Sequence, residues 1–498
     1  MNKICFIIPP SIFLLDERVF MTLGILRVAA VVENAGYGVE MMDLSGIQNF
    51  EEVVGMHARS SDSKVFAVTS TTPQMPAVAR IAAKIREARP DARIILGGPH
   101  ITLVNAAYKK EVKAGVRGRA VEAFERCAEI FDVLVAGDGE QAIFLALEDN
   151  PPKLVDADDG KSPLFLTNSK LNELPFPARH LIDVGSYHYT VEGVPSISMI
   201  AQLGCPFACG FCGGRESPML RRVRMRTSEN VVSEMVHLYK TYGFKGFMLY
   251  DDELNVNPKI IELMNMISDA QDKLGVEFRL RGFVKSQLFT DEQAKAMYRA
   301  GFRWVLTGFE SGSPRILKNI NKKATRDENT RCVEFAVKHN LKVKALMSIG
   351  HPGESEETVE DTHRWLNEVR PADFDVTIIT TYPGTPYYDY AVRDGRKNIW
   401  VYTFEETGDK LFAYEVDYTK VADYYKGDPN GGYRSYVFTD HLSAEELVKL
   451  RDHVERDVRS KLNIPFNPSG ASIRYEHSMG QSGGQLPEYI LKKSAHAR

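Results

Sequence analysis

The chain has 498 residues, with 62 basic against 66 acidic side chains for a formal charge of −4, and 44% of its residues are hydrophobic. At about 100–200 residues per domain this is material for two to four domains, and the composition excludes wholesale disorder. The near-balanced charge, without a long Lys/Arg tract, argues against a general nucleic-acid or membrane-surface binder, although a small RNA substrate stays open.

No segment reaches the roughly 18 uninterrupted apolar residues of a membrane span. The run Ile4-Cys5-Phe6-Ile7-Ile8 stops at Pro9-Pro10 and has no small-residue cleavage site, so it reads as a buried strand and not a signal peptide. With Lys3–Ile8, further strands are expected at Val39–Leu44, Val65–Ser70, Ala92–Leu96 and Val133–Ala136. Helices such as Leu23–Ala35 and Met75–Ala88 lie between them. Continuous apolar strands alternating with helices predict a doubly wound, Rossmann-like α/β domain over residues 1–150, closed by a helix at Gln141–Leu147. The Pro-containing stretch 151–185, with Pro175-Phe176-Pro177, reads as a linker.

A second βα series begins at Ser196–Leu203. It continues with strands at Gly246–Tyr250, Glu277–Leu280, Trp304–Gly308, Val343–Ile349 and Asp375–Thr380, and with helices at Asn230–Tyr242, Pro258–Lys273, Asp291–Gly301 and Glu356–Val369. Six such units predict a partial (β/α)6 barrel over 186–397, short of the roughly 250 residues of an eightfold one. Residues 398–498 turn tyrosine-rich (Tyr402, Tyr414, Tyr418, Tyr424, Tyr425, Tyr433, Tyr436) and read as a mixed, partly helical cap. Ser443 and Glu446 form a capping box ahead of the stripe Leu447, Leu450, Val454 and Val458. The tail after Asn467, rich in Gly and Ser, reads as loop or coil. Six cysteines in such a length fit a reduced compartment, hence a cytoplasmic protein.

The segment that carries chemistry is Cys205-Pro-Phe-Ala-Cys209-Gly-Phe-Cys212, a C-x3-C-x2-C arrangement just after the first barrel strand. Three thiolates in one tight loop suit three irons of an iron–sulfur cluster, the fourth iron staying open for another ligand. Cys5, Cys127 and Cys332 sit singly in apolar or helical contexts. One competing reading is structural zinc, which favours C-x2-C pairs and four ligands, and no second pair exists here. The other is three unrelated core cysteines, against which the spacing speaks.

On this motif, and on the order of the loops downstream, the chain resembles the radical S-adenosylmethionine (SAM) superfamily. The resemblance implies that Cys205, Cys209 and Cys212 hold a [4Fe-4S] cluster whose open iron is chelated by the amino and carboxylate groups of SAM. One electron, from a reducing partner such as flavodoxin or ferredoxin, would cleave SAM to methionine and a 5′-deoxyadenosyl radical that abstracts hydrogen from a small-molecule substrate. Phe211 matches the aromatic position near the adenine. Asp251, Asp252 and Glu253 stand where a Gly-Gly-Glu element holds the SAM amino group; a solvated acidic turn is the alternative. Glu310 and Ser311, in Thr307-Gly308-Phe309-Glu310-Ser311-Gly312, match the Gly-x-Glu-Ser element, against a plain strand-end turn. Gly350, in Ser348-Ile349-Gly350-His351-Pro352-Gly353-Glu354, would let the backbone approach adenine or ribose. His351 reads equally as a lone loop histidine and is not taken as catalytic. Arg221, Arg222, Arg224 and Arg226 either steer anions or form a solvated basic face.

The first domain resembles the cobalamin-binding domain of one large radical SAM branch. The likeness is carried by Pro9-Pro10, Leu23-Gly24-Ile25-Leu26, Gly36-Tyr37-Gly38-Val39, Thr69-Ser70-Thr71-Thr72, Gly97-Gly98-Pro99-His100 and Gly137-Asp138-Gly139-Glu140. It implies that Thr71, Gly97, Gly98, Gly137 and Gly139 contact cobalamin at the strand C-termini. The Asp-x-His-x-x-Gly motif that supplies an axial histidine elsewhere is absent, and neither His57 nor His100 lies in that context. Cobalamin would therefore bind without a histidine from this domain, or the domain is a scaffold that has lost it. The leading expectation is cobalamin-dependent methylation of an unactivated carbon of a natural-product or sugar-like molecule. The rival is a cobalamin-free radical dehydration, deoxygenation or rearrangement, which the tyrosine-rich region would suit. A non-catalytic B12 or SAM sensor is the reading from another class.

Overall fold

The computed structural model describes residues 3–14, 16–214, 216–396, 398–424 and 433–466; Tyr425 and the tail after Asn467 lie outside them. The first sheet is parallel throughout. Its strands are β1 (Lys3–Ile8), β2 (Gly38–Asp43), β3 (Val65–Thr69), β4 (Arg93–Gly97), β5 (Val133–Gly137) and β6 (Leu154–Ala157), in the order β2-β1-β3-β4-β5-β6. Ile4, Phe6 and Ile8 point to the face covered by helices Leu23–Asn34 and Gly139–Ala146. Cys5 and Ile7 point to the opposite face, under the helices from Phe50 to Ile130. Burial on both faces is why β1 reads as an unbroken apolar run. The chain leaves β1 towards β2 and leaves β3 towards β4, in opposite directions, which opens a crevice beyond the carboxyl ends of β1 and β3.

The expected linker contains β6, which pairs with β5. Only Val155 and Ala157 of this short edge strand are buried, so it lacks the apolar run that marks the other strands.

The second sheet has the order β15-β14-β13-β12-β11-β8-β7. Its strands are β7 (Thr190–Val191), β8 (Val194–Met199), β11 (Gly246–Leu249), β12 (Arg279–Phe283), β13 (Phe302–Glu310), β14 (Lys342–Ile349) and β15 (Asp373–Ile378), with β9 (Gln202–Leu203) and β10 (Arg224–Met225) paired outside it. Strands β8 and β11 to β15 run parallel as an open half-barrel, and β7 adds an antiparallel edge. The expected strand Ser196–Leu203 breaks after Met199, because the N–H groups of Ala201 and Gln202 turn to the Asp251 carboxylate. The expected strand Glu277–Leu280 starts later, at Arg279, since the Phe278 N–H is taken by Gln271 Oε1.

An antiparallel sheet of β16 (Val392–Arg393), β17 (Ile399–Thr403), β18 (Lys410–Tyr414) and β19 (Val437–Thr439) follows, then the helix Ala444–Leu462. That helix starts on the expected reciprocal Ser443–Glu446 box and sends Leu447, Val454 and Val458 into the barrel core. Its buried polar residues serve the outer edge of β15. Glu455 Oε1 accepts from Val376 N at 2.6 Å, Arg451 Nε donates to Val376 O at 2.9 Å, and Arg459 donates to Phe374 O. From the loop before β19, Tyr433 Oη accepts from Ile378 N at 3.0 Å. Side chains thus satisfy a strand edge that has no neighbouring strand.

Candidate functional site

The cysteine loop leaves the half-barrel at the C-terminal end of β8. It is clamped from three sides: Cys205 N donates to Leu220 O (3.0 Å), Gly210 N to Ile320 O (2.8 Å) and Tyr387 N to Gly210 O (3.2 Å). Gly210 has no room for a side chain, since a Cβ there would lie 2.5 Å from the Tyr387 ring. Burial, reinforced by the negative Glu253 and Asp252, pushes the Cys205 thiol up to about 11. A set of thiolates here needs a cationic centre to hold them. Among the described residues, the only group of three His, Cys, Asp or Glu donors within 4.8 Å of one another is Cys5, Glu40 and His57, away from the ligand edge. The three loop sulfurs are therefore spread more widely than the roughly 3.8 Å that bonds of 2.3 Å to one tetrahedral zinc would impose. The frame fits an iron–sulfur cluster.

The downstream candidates separate into different jobs. Asp251 is buried, and its Oδ1 is used by Ala201 N and Gln202 N, so it fastens the approach to the cysteine loop. Asp252 is exposed. Glu253 has a buried Oε2 without a hydrogen-bond partner, as do Asp251 at its second oxygen, Oδ2, and Gln202 at Oε1, while Gln202 Nε2 bonds Glu253 O. Burial pushes the Glu253 carboxyl up to about 7, against the pull of Lys322 and Lys285. Glu310 is buried with φ +66° at a register shift of β13; it pairs with Lys322 Nζ at 3.0 Å and accepts from Ser348 Oγ at 2.7 Å. Ser311 meets Thr362 Oγ1 at 3.1 Å and accepts from Ser313 N, so its hydroxyl braces the loop. Gly350 has φ +88°, and a Cβ there would press on Val437 and Ile378; its small size serves cap packing as well as any ligand. Phe211 sits edge-on to His351, centroids 5.4 Å apart.

The sequence reading missed Lys285 and Lys322, both buried and both acting on Glu253 and Cys209. Lys322, in Ile320-Asn321-Lys322-Lys323, carries no local sign of burial in the sequence; the fold turns it inward. Unpartnered buried acceptors beside buried ammonium groups fit a zwitterionic amino-acid head group, such as that of SAM.

On the facing domain, Thr71, Gly97, Gly98, Gly137 and Gly139 all line one cavity of about 260 Å³. Its walls are largely apolar, formed by Phe6, Ile25, Val28, Ala67, Ile95, Val135 and Ile143 between the sheet and its two helices, and it reaches Leu203 and Met219, which flank the cysteine loop. It joins a wider cleft of about 490 Å³ through the shared residues Thr22, Gly24, Thr71, Gln74, Pro99 and Ile200; Tyr250 and Tyr382 of the barrel close the far side. Gly98 has φ +96°, and a Cβ would come within 2.5 Å of Thr69 Oγ1, so only glycine fits this wall. A narrow apolar slot opening into a broad cleft suits cobalamin, whose flat aromatic base and wide corrin face differ in just this way. Among the described residues no histidine lines either cavity. His100 is buried against Thr72 and Cys127, and burial holds it neutral, down to about 3.

A buried ion pair ties the two domains together: Arg224 Nη1 lies 2.5 Å from Asp138 Oδ2, in the Gly137–Gly139 loop. Within the barrel and linker, Arg226 shares buried Glu234 with Arg179. Two of the four arginines are thus structural and belong to no solvated face. Tyr418 and Tyr424 pack against Tyr382 in tilted and edge-on contacts, and among the described tyrosines of the cap none lines the cleft.

Fold and site define an α/β protein with two largely parallel sheets and a thiol-rich loop at the flank of the cleft between them. The family model of the Radical SAM superfamily matches residues 199–366, and that of the B12 binding domain matches residues 17–128. An uncharacterised methyltransferase of Pyrococcus horikoshii is 29% identical over 78% of this chain and 83% of its own length. The anaerobic magnesium-protoporphyrin IX monomethyl ester cyclase of Rubrivivax gelatinosus is 24% identical over 71% of this chain and 60% of its own. The solved structure of the radical SAM methyltransferase TsrM from Kitasatospora setae, with cobalamin and a [4Fe-4S] cluster bound, superposes with a TM-score of 0.65 at 16% identity, covering 91% of each chain. The chain is a radical SAM enzyme that carries a B12-binding domain, and these two domains imply a [4Fe-4S] cluster, SAM and cobalamin as cofactors. Among the described residues no helix is long and apolar enough to cross a membrane.

Proposed function

We propose that this enzyme methylates a carbon atom of a small molecule in a cobalamin-dependent radical reaction. The observation that carries the reading is the single connected cleft, walled on one side by the glycine loops of the first domain and on the other by the barrel mouth, with the cysteine loop at its flank. When bound, the cluster with SAM supplies a hydrogen-abstracting radical and cobalamin supplies a methyl carrier. The chain's own residues do the rest. Cys205, Cys209 and Cys212 would bind the cluster; Glu253, Glu310, Lys285 and Lys322 would orient the SAM head group and ribose. Thr71, Gly97, Gly98, Gly137 and Gly139 would seat the corrinoid, while Phe20, Tyr250 and Tyr382 keep bulk water from the space between. Among the described residues the cap tyrosines lie outside the cleft, which weakens the feature that favoured a sugar-like substrate of a cobalamin-free enzyme. An acidic one-electron carrier such as flavodoxin or ferredoxin would supply the reducing equivalent.

The test is anaerobic reconstitution with iron, sulfide and hydroxocobalamin, followed by product analysis. A methylase forms both S-adenosylhomocysteine and 5′-deoxyadenosine. 5′-Deoxyadenosine alone, from protein that holds no corrinoid, would replace this reading with the dehydration or rearrangement chemistry, and neither product with the sensor. Cys209→Ala is expected to lose iron and both products.

A further inference from the structure

His351 does not stand alone in its loop. It is fully buried in the middle of a chain of side chains: Tyr387 Oη lies 3.3 Å from its Nδ1, and Ser348 Oγ 2.8 Å from its Nε2. Ser348 Oγ also lies 2.7 Å from Glu310 Oε2, while Lys322 Nζ holds Glu310 Oε1. Counting protons fixes every direction in this chain. Lys322 and Ser348 hold the Glu310 carboxyl below its usual range despite burial, so it is an acceptor only. The single Ser348 hydroxyl proton therefore goes to Glu310. His351 must then donate from Nε2 to Ser348, which leaves Nδ1 bare to accept from Tyr387. Burial supports the neutral ring, pushing His351 down to about 4 and keeping the Tyr387 hydroxyl protonated. Two of the four lone-pair positions of the carboxylate are thereby taken, and two remain. The left-handed backbone of Glu310, unusual for a glutamate, shows that the fold accepts strain to aim this side chain.

Resting on the reading that the barrel mouth binds SAM, we propose that His351 and Tyr387 are positioning residues: the ordered chain Tyr387–His351–Ser348 fixes Glu310 in one rotamer and presents its remaining lone pairs to SAM. Neither residue touches the ligand in this scheme. The same Tyr387 ring packs on Gly210, so one buried tyrosine braces both the cysteine loop and the carboxylate.

The experiment measures SAM binding to anaerobically reconstituted protein by equilibrium dialysis, together with iron content and the electron paramagnetic resonance spectrum of the reduced cluster with and without SAM. His351→Leu is expected to weaken SAM binding at least tenfold, and to blunt the spectral change on SAM addition, at unchanged iron content. His351→Gln, which can accept from Tyr387 and donate to Ser348, is expected to stay within about threefold of the parent protein. A merely structural histidine would not distinguish leucine from glutamine in this order. Equal SAM affinity in His351→Leu, or a glutamine variant as defective as the leucine one, overturns the proposal. Should His351→Leu lose its cluster, Tyr387→Phe and Ser348→Ala decide: parent-like affinity in both overturns the proposal, and loss in both with intact iron supports it. A parent protein that binds no SAM overturns the underlying reading instead.

Discussion

Gly24 offers a perturbation whose two effects should have opposite signs. It is the second residue of the helix Leu23–Asn34, it lines both cavities, and a Cβ built on it meets nothing within 4 Å. In the protein without corrinoid, Gly24→Ala removes backbone freedom from the unfolded chain and adds a good helix former. This is worth about 0.5–1 kcal/mol, or about 1–4 °C in the melting of the first domain. The added methyl projects into the space assigned to cobalamin. Overfilling a fitted site costs about 1–3 kcal/mol, which converts to roughly 5- to 150-fold in affinity, and Gly24→Leu should cost more. The assay is paired: thermal melting without corrinoid, and absorbance titration with hydroxocobalamin. Gly115→Ala is the control, because Gly115 also has open space but lies at φ +69° away from both cavities. It should lose stability and leave the titration unchanged. If Gly24→Ala and Gly24→Leu titrate like the parent protein, the cavity is not the seat of the corrinoid.

Glu234→Gln leaves the buried guanidinium groups of Arg179 and Arg226 without their shared carboxylate, and should cost about 3–5 kcal/mol, seen as a lower urea midpoint and faster proteolysis at 175–185. Glu253→Gln removes a buried charge that has an unpartnered oxygen, so stability should hold or rise, while SAM affinity falls about 10- to 150-fold for a lost charge-assisted hydrogen bond of about 1.5–3 kcal/mol; parent-like SAM binding would remove Glu253 from the site. Burial alone would raise Glu40, but bonds from Lys3, Ser61 and Ser63 outweigh it and bring it down to about 2. With its folded value depressed, its contribution is complete above pH 4.5 and is lost as pH falls towards 2. Allowing for solvent screening it is on the order of 1–2 kcal/mol, and hydrogen exchange in β1 and β2 across that window should show the loss.

Much of the architecture was legible because its causes are local. Strands such as β1, β3, β4, β5 and β11 are buried on two faces and announce themselves as apolar runs, and three cysteines in eight residues leave few chemical readings. What escaped shares one physical reason: burial of polar groups depends on partners far away in sequence. Lys322 gives no local sign that it will meet Glu310, nor Arg224 that it will meet Asp138 from another domain. The acidic triplet Asp251–Glu253 could not be apportioned from the sequence, since only the turn after β8 decides that Asp251 is taken by backbone N–H groups and Glu253 is not. The alternation of Leu154–Ala157 was too short to separate a strand from a linker.

The side-chain comb along β15 bears on how freely the end of such an enzyme can be exchanged. Glu455, Arg451, Arg459 and Tyr433 do for the half-barrel what a further strand would do in a closed one. A chimera that cuts ahead of Ala444 would strip Glu455, Arg451 and Arg459, and one that replaces the loop before β19 would strip Tyr433; either leaves bare amides and carbonyls, a template for sticking to another copy. Recombination in this architecture is therefore tolerable only when Tyr433 and the helix Ala444–Leu462 travel with the barrel.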